Sequence, residues 1–167
     1  MNDTFVAVLM GSDSDLPTVQ GTIDVLDQFG ITCEIKITSA HRTPTATITY
    51  IQDAEARGCA VFICAAGLAA HLAGTVAAQT IRPVIGIPME SGPLNGIDAL
   101  LSTVQMPGGI PVACMSIGRA GARNAGYLAA QIISLFDSEL VARLRADRES
   151  SATAVFAKDA DLRRRRG

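Results

Sequence analysis

Apolar runs rich in β-branched residues recur at Thr4–Met10, Thr32–Thr38, Ala60–Ala65, Pro83–Pro88 and Val112–Ile117, and each is followed by a polar or glycine-rich turn and then a helical stretch. A chain that alternates strand and helix in this way has to join parallel strands through right-handed crossovers, because a twisted strand feeding a helix packs back onto its sheet only with that hand. The spacing of Val19, Ile23, Leu26 and Phe29 predicts a helix over Leu16–Phe29, stopped by Gly30, a residue that readily takes the left-handed turn after a helix. Thr43-Pro44 opens a second helix that ends at Gly58, with proline tolerated where the backbone N–H has no helical partner. Further helices are expected at Ala69–Gln79, Ile97–Val104 and Gly121–Phe136, and a charged amphipathic one around Ser138–Arg148. The expected fold is therefore α/β: a three-layer, doubly wound parallel sheet of flavodoxin-like strand order over residues 1–136, an extra C-terminal helix over 137–150, and a flexible tail over 151–167.

Composition narrows what such a domain can contain. Hydrophobic residues make up 49% of the chain and aromatics only 4%, with no tryptophan, so the core has to be built from Ala, Val, Ile and Leu. At 167 residues the chain can bury enough surface to fold without disulfides or a structural metal. Fourteen basic residues face 16 acidic ones, and four of the basic residues sit together at Arg163–Arg166, which leaves the rest of the chain distinctly acidic. That balance argues against a nucleic-acid surface, which needs clustered cations. The arginine run reads as part of a solvated tail. Cys33, Cys59, Cys64 and Cys114 are scattered without a CxxC pair, so they read as small buried hydrophobes and no metal site is expected. The start Met1-Asn2-Asp3-Thr4 lacks the basic, apolar pattern of a secretory signal, which points to the cytoplasm. Gly58–Ile81 carries no charge but is interrupted by Gly67, His71, Gly74 and Gln79, which fits strand, turn and buried helix rather than a membrane span.

In a doubly wound sheet, ligands sit beyond the carboxyl ends of the strands, and chemistry-bearing residues concentrate there. The first strand ends in Gly11-Ser12-Asp13-Ser14-Asp15 before a helix; N–H groups at a helix start and serine hydroxyls suit an anion, and Asp15 suits ribose hydroxyls. An ordinary Ser/Asp helix cap reads equally well from this segment alone. It is neither a P-loop nor a GxGxxG turn. The second strand runs into Ser39-Ala40-His41-Arg42-Thr43-Pro44, pairing a phosphate-binding fork with a group that exchanges protons near neutral pH. After the third comes Ala65-Ala66-Gly67-Leu68-Ala69-Ala70-His71-Leu72-Ala73-Gly74, small enough for backbone N–H groups to approach a ligand. His71 reads equally as a packed structural histidine or as a second proton-handling group. Ser91–Gly96 and Gln105–Pro111 read as ordered turns, and Gly118–Ala122 as a tightly packed helix start.

Taken together, Met10–Asp15, Ser39–Pro44, Ala69–Leu72, Leu94–Gly96 and Val104–Gly109 resemble the class I N5-carboxyaminoimidazole ribonucleotide mutases, over roughly Phe5 to Ile133. The resemblance implies conversion of N5-carboxyaminoimidazole ribonucleotide to 4-carboxyaminoimidazole ribonucleotide in de novo purine synthesis, without ATP, metal or organic cofactor. It implies that Ser12, Ser14, Asp15, Ser39, Ala40 and Arg42 bind the nucleotide, and that Ala66, Gly67, Leu68, Ala69, His71 and Leu72 close over the base and the migrating carboxylate. His41 is implied as the catalytic proton carrier, transient carbon dioxide as the intermediate, and a homo-octamer as the assembly, with Gly74 and Ala77 near its central contacts.

Three other functions compete. Class II relatives carboxylate aminoimidazole ribonucleotide directly. A receiver module on the same fold needs a phosphorylatable Asp after the third strand, where this chain has Cys64-Ala65-Ala66. A flavin carrier prefers aromatic residues around its ring, and only Tyr50 and Tyr127 are present beside the phenylalanines.

Overall fold

The computed structural model describes residues 4–166. Five parallel strands form one sheet in the order β2-β1-β3-β4-β5: β1 Phe5–Met10, β2 Cys33–Ile37, β3 Cys59–Ala66, β4 Val84–Pro88 and β5 Ala113–Cys114. The helices are α1 Leu16–Gln28, α2 Pro44–Ala56, α3 Leu72–Ala77, α4 Ile97–Val104, α5 Arg119–Ser134 and α6 Ser138–Arg166. This is the expected flavodoxin-like order, and α4 has the bounds read from the sequence. The reason β1 and β3 sit in the middle lies in their composition. Every residue of β1, FVAVLM, is buried, as a strand covered by helices on both faces has to be.

One face of the sheet joins Ala7, Leu9, Phe62 and Cys64 to Ile51 and Ala54 of α2 and Leu72, Ala73, Val76 and Ala77 of α3. On the other helical pair, α1 and α5 approach closely enough for the buried Thr22 hydroxyl to donate to the Ala122 carbonyl at 2.7 Å. Gly126 permits that approach, because a Cβ there would stand 2.9 Å from the Thr22 carbonyl oxygen. Small residues thus do in packing what the low aromatic content requires of them.

Several expectations change in detail. The helix foreseen over Ala69–Gln79 is confined to Leu72–Ala77, because Leu68 takes a left-handed φ of 56° and the His71 N–H closes a tight bond to the Ala69 carbonyl at 2.8 Å. Within the protomer, Ala77 packs against the core cluster. The fifth strand shrinks from Val112–Ile117 to two residues. Met115 N–H still bonds Gly86 O and Gly118 N–H bonds Pro88 O, three residues against two, and that bulge ends the regular ladder. Of the cysteines, Cys59 and Cys64 are buried whereas Cys33 and Cys114 are half-buried.

The chain divides into two compact units after Ala130, within α5. In the second unit, Asp137 caps α6 by accepting from the Glu139 and Leu140 N–H groups at 2.9 and 3.0 Å. α6 then continues to Arg166, so residues 151–166 are helical where a flexible tail was expected. Turn-spaced pairs account for the extension: Arg163–Asp159 at 2.9 Å and Arg165–Asp161 at 2.7 Å, with four arginines at the end where the helix dipole favours cations. Among the described residues no helix is long and apolar enough to cross a membrane.

Candidate active site

The carboxyl ends of β1, β2, β3 and β4 are tied to one another before any side chain is considered. Gly11 N–H bonds Ala65 O at 3.2 Å, Thr38 N–H bonds Met10 O at 2.9 Å, and Met89 N–H bonds Ala66 O at 2.9 Å. These bonds carry the sheet's rigidity into the loops that follow. The loops enclose a pocket of about 470 Å³ lined by Ser12, Ser14, Asp15, Ser39, Ala40, His41, Arg42, Ala66, Gly67, Leu68, Ala69, His71 and Leu72, with Gly11, Thr38 and Ser91. All thirteen residues named as catalytic or substrate-binding from the sequence therefore line one cavity. Gly11, Thr38 and Ser91 were not named as site residues; Gly11 and Thr38 directly follow β1 and β2, and Ser91 lies three residues beyond β4.

On the β1 side, Ser12 is extended, with φ −150° and ψ 153°, and its hydroxyl oxygen accepts from Ser14 N–H at 3.3 Å and from the Ser14 hydroxyl at 2.8 Å. A single 3₁₀ turn, Asp13–Asp15, leads directly into α1. Asp15 is half-buried, and burial pushes its carboxyl above the ordinary carboxylate range; a backbone hydrogen bond to Ser12 opposes that rise and the neighbouring Asp13 adds to it.

On the β2 side, the loop is organised by its own side chains. The Ser39 hydroxyl oxygen accepts from the N–H groups of His41 and Arg42 at 3.3 and 3.1 Å. Arg42 Nη2 reaches across to donate to the Gly11 carbonyl at 3.3 Å, and the Ser12 and Ser14 side chains line the same pocket. An anion entering between them meets charged and neutral donors from two loops.

His41 Nε2 and His71 Nδ1 lie 2.8 Å apart, their rings edge to face at 85°. One ring donates and the other accepts, so at least one of them is neutral while the contact holds. The two histidines come from loops after β2 and β3 and meet above the end of β1, as the strand order requires. His71 is thereby placed within the site and bonded to the proton-carrying candidate, rather than packed in a distant core.

Leu68, 53% exposed, holds its left-handed backbone at the rim. Gly67 leaves room for Ser91: a Cβ at Gly67 would lie 2.1 Å from the Ser91 hydroxyl oxygen. Strained backbone concentrates at binding loops that the surrounding structure holds in place, and here β3 and the loop after β4 supply that support. Leu94–Gly96 and Gln105–Gly109 do not line this pocket. A larger concavity of about 810 Å³ lies at the opposite, amino ends of β4 and β5, around Ile81, Arg82 and Ile110, and it gathers neither histidine nor serine. Among the described residues no group of three His, Cys, Asp or Glu side chains could hold a metal ion.

The chain is 52% identical to a Bacillus subtilis N5-carboxyaminoimidazole ribonucleotide mutase over 151 residues, covering 90% of this chain and 93% of the relative. It is 51% identical to the mutase of Mycobacterium leprae over 162 residues, 97% and 94% of the two chains. Its backbone superposes on the crystal structure of Treponema denticola PurE with a TM-score of 0.86 at 32% identity, covering 95% of this chain and 98% of that one. The profile of the AIR carboxylase family matches residues 5–154. With three of the five motif-bearing loops gathered in one pocket and near-complete coverage in each comparison, the chain belongs to the AIR carboxylase family.

Proposed function

We propose that this protein is a 5-(carboxyamino)imidazole ribonucleotide mutase, an isomerase that converts N5-carboxyaminoimidazole ribonucleotide to 4-carboxyaminoimidazole ribonucleotide in purine synthesis. The observation that carries this reading is the convergence of anion donors, a half-buried carboxyl and a histidine pair in one small-residue pocket. Ser12, Ser14, Ser39 and Arg42 take the 5′-phosphate, Asp15 the ribose, and the Ala66–Leu72 loop with Ala40 the base and its carboxylate. The activity is tested by supplying each of two substrates at low bicarbonate. The N-carboxylated ribonucleotide is expected to give product at a rate that does not depend on added bicarbonate. Product formed only from aminoimidazole ribonucleotide, at a rate rising with bicarbonate, would instead assign the direct carboxylase reaction.

The exchange of bonds is balanced within the pocket. The exocyclic C–N bond breaks as that nitrogen takes a proton, releasing carbon dioxide and aminoimidazole ribonucleotide. The ring carbon then attacks carbon dioxide, a C–C bond forms, and the proton on that carbon leaves. His41 delivers the first proton and removes the second, so no net proton is consumed. Holding carbon dioxide against the ring carbon replaces a collision from solution by a unimolecular step. Ala66, Ala69 and Leu72 offer it no competing nucleophile.

The catalytic domain is assigned to residues 1–136, the protein to the cytoplasm, and the working assembly to a homo-octamer in which neighbouring chains complete each site. What supports assembly is an apolar row on α4: Ile97, Leu101 and Val104 stand 51%, 54% and 47% exposed at helical spacing, a stripe that an isolated protomer leaves in water. Leu101→Glu places a charge in that row without entering the core, and is expected to reduce the particle mass measured by light scattering or sedimentation. A variant that keeps the unmodified protein's mass would remove α4 from the interface.

A further inference from the structure

His41 and Arg42 are exposed and sit on an irregular segment, yet both have to be held to within a fraction of an ångström to act. What holds them leads inward. Ser39, whose hydroxyl oxygen caps their N–H groups, is itself bonded to Thr43: Ser39 N–H donates to Thr43 Oγ1 at 3.0 Å, and that hydroxyl lies 3.2 Å from Ser39 O. Thr38 Oγ1 is 3.3 Å from Thr43 Oγ1 and 2.6 Å from Thr47 Oγ1. Thr47 is wholly buried in α2, and its hydroxyl also faces Thr43 O at 3.0 Å and Ser39 O at 3.5 Å. Thr47 Oγ1 is thus the buried end of a hydroxyl chain, Thr47–Thr38–Thr43, that ends on the Ser39 backbone, and the Ser39 side chain in turn holds the N–H groups of the two exposed residues.

The hydroxyl inventory explains why threonine is needed. Each hydroxyl has one proton and can accept as well. The chain is satisfied when Thr47 donates to Thr43 O, Thr38 to Thr47, and Thr43 to Ser39 O. It is equally satisfied when Thr47 donates to Thr38, Thr38 to Thr43, and Thr43 to Ser39 O. In both arrangements Thr47 Oγ1 bonds Thr38 and so fixes the last residue of the β2 segment to α2, across the turn that carries His41. Valine has the shape of threonine but neither donates nor accepts. It leaves the buried Thr38 hydroxyl with its longer contact to Thr43 alone, and frees the turn to shift.

We propose that Thr47 is a positioning residue for the reaction: it does not line the pocket, and it sets the placement of His41 and Arg42 through the Thr38 and Thr43 hydroxyls and, beyond them, Ser39. The proposal rests on the reading that His41 and Arg42 act on the substrate. Thr47→Val is expected to lower kcat and raise KM together, for a combined loss in kcat/KM of roughly 10- to 100-fold, the scale of a displacement on the order of 1 Å at a reacting group. Thr47→Ser should recover most of that loss. Thr103→Val is the control, because Thr103 is equally buried and back-bonds to Ala99 O at 2.7 Å in α4, outside the pocket. It should lower the melting temperature with kcat and KM unchanged. If Thr47→Val does not fold, Thr38→Val breaks the same 2.6 Å contact and carries the same expectation. A folded Thr47→Val or Thr38→Val enzyme with ordinary kcat and KM overturns the proposal, and so does a Thr103→Val enzyme that loses rate to the same extent. His41→Asn separates the two layers: if that variant turns over normally, the reading beneath the proposal fails, whereas an inactive His41→Asn beside a fully active Thr47→Val refutes the positioning role alone.

Discussion

His41→Asn is expected to lower kcat by about two to four orders of magnitude, the range over which a positioned acid–base group contributes, while leaving substrate affinity close to that of the unmodified protein. Asparagine keeps a donor and an acceptor near the position of the ring, so it can still meet His71 or an ordered water, but it cannot shuttle a proton at neutral pH. The loop itself should stay in place, because its fold depends on the residue-41 backbone N–H bonded to the Ser39 hydroxyl and not on the imidazole. Single-turnover rates report the chemical step, titration calorimetry the affinity, and circular dichroism the fold. Turnover near the unmodified value would show that the proton moves through another group, and His71, 2.8 Å away, would be the first to test. A loss of affinity as large as the loss of rate would place His41 in binding instead.

How much of this site could be read from the chain depends on the kind of contact. The Ser12–Asp15 and Ser39–Arg42 loops were legible because strand ends are where a doubly wound sheet binds ligands, and β1 announced itself as an unbroken apolar run. The His41–His71 bond was not legible. It joins residues from loops after β2 and β3 that meet only because β1 lies between those strands. Thr47 escaped notice for a different reason. On sequence it is one of several threonines on a helix whose apolar spacing is weak, and only its burial and its 2.6 Å neighbour set it apart. The reach of α6 was missed because a run of arginines reads as repulsive until Asp159 and Asp161 are placed one turn away on the same helix. Local pattern, in short, revealed what a segment prefers, while pairings across the sheet had to come from the fold.

Gly121→Ala separates those two sources of information, because they predict opposite signs. Gly121 lies in the first turns of α5 and is buried. Judged by helix propensity alone, alanine should stabilise the helix by about 1 kcal/mol. In the folded chain an added Cβ would stand 1.7 Å from the Ser116 carbonyl oxygen and 2.7 Å from its carbon. Both atoms are backbone, so no rotamer change relieves the contact. The start of α5 would have to retreat from the segment after β5, against the Thr22–Ala122 hydrogen bond and the close packing at Gly126 that hold α5 on α1. Overpacking of this kind costs about 3 kcal/mol at the upper end of its usual range, which outweighs the propensity gain. The net loss should appear as a fall in melting temperature of roughly 4–8 °C for a chain of this size. Gly108→Ala is the matched control: its Cβ would meet nothing within 4 Å, and its melting temperature should stay near that of the unmodified protein. If Gly121→Ala melts at or above the unmodified protein, α5 does not rest on the Ser116 backbone, and the tight helix start after β5 has to be redrawn.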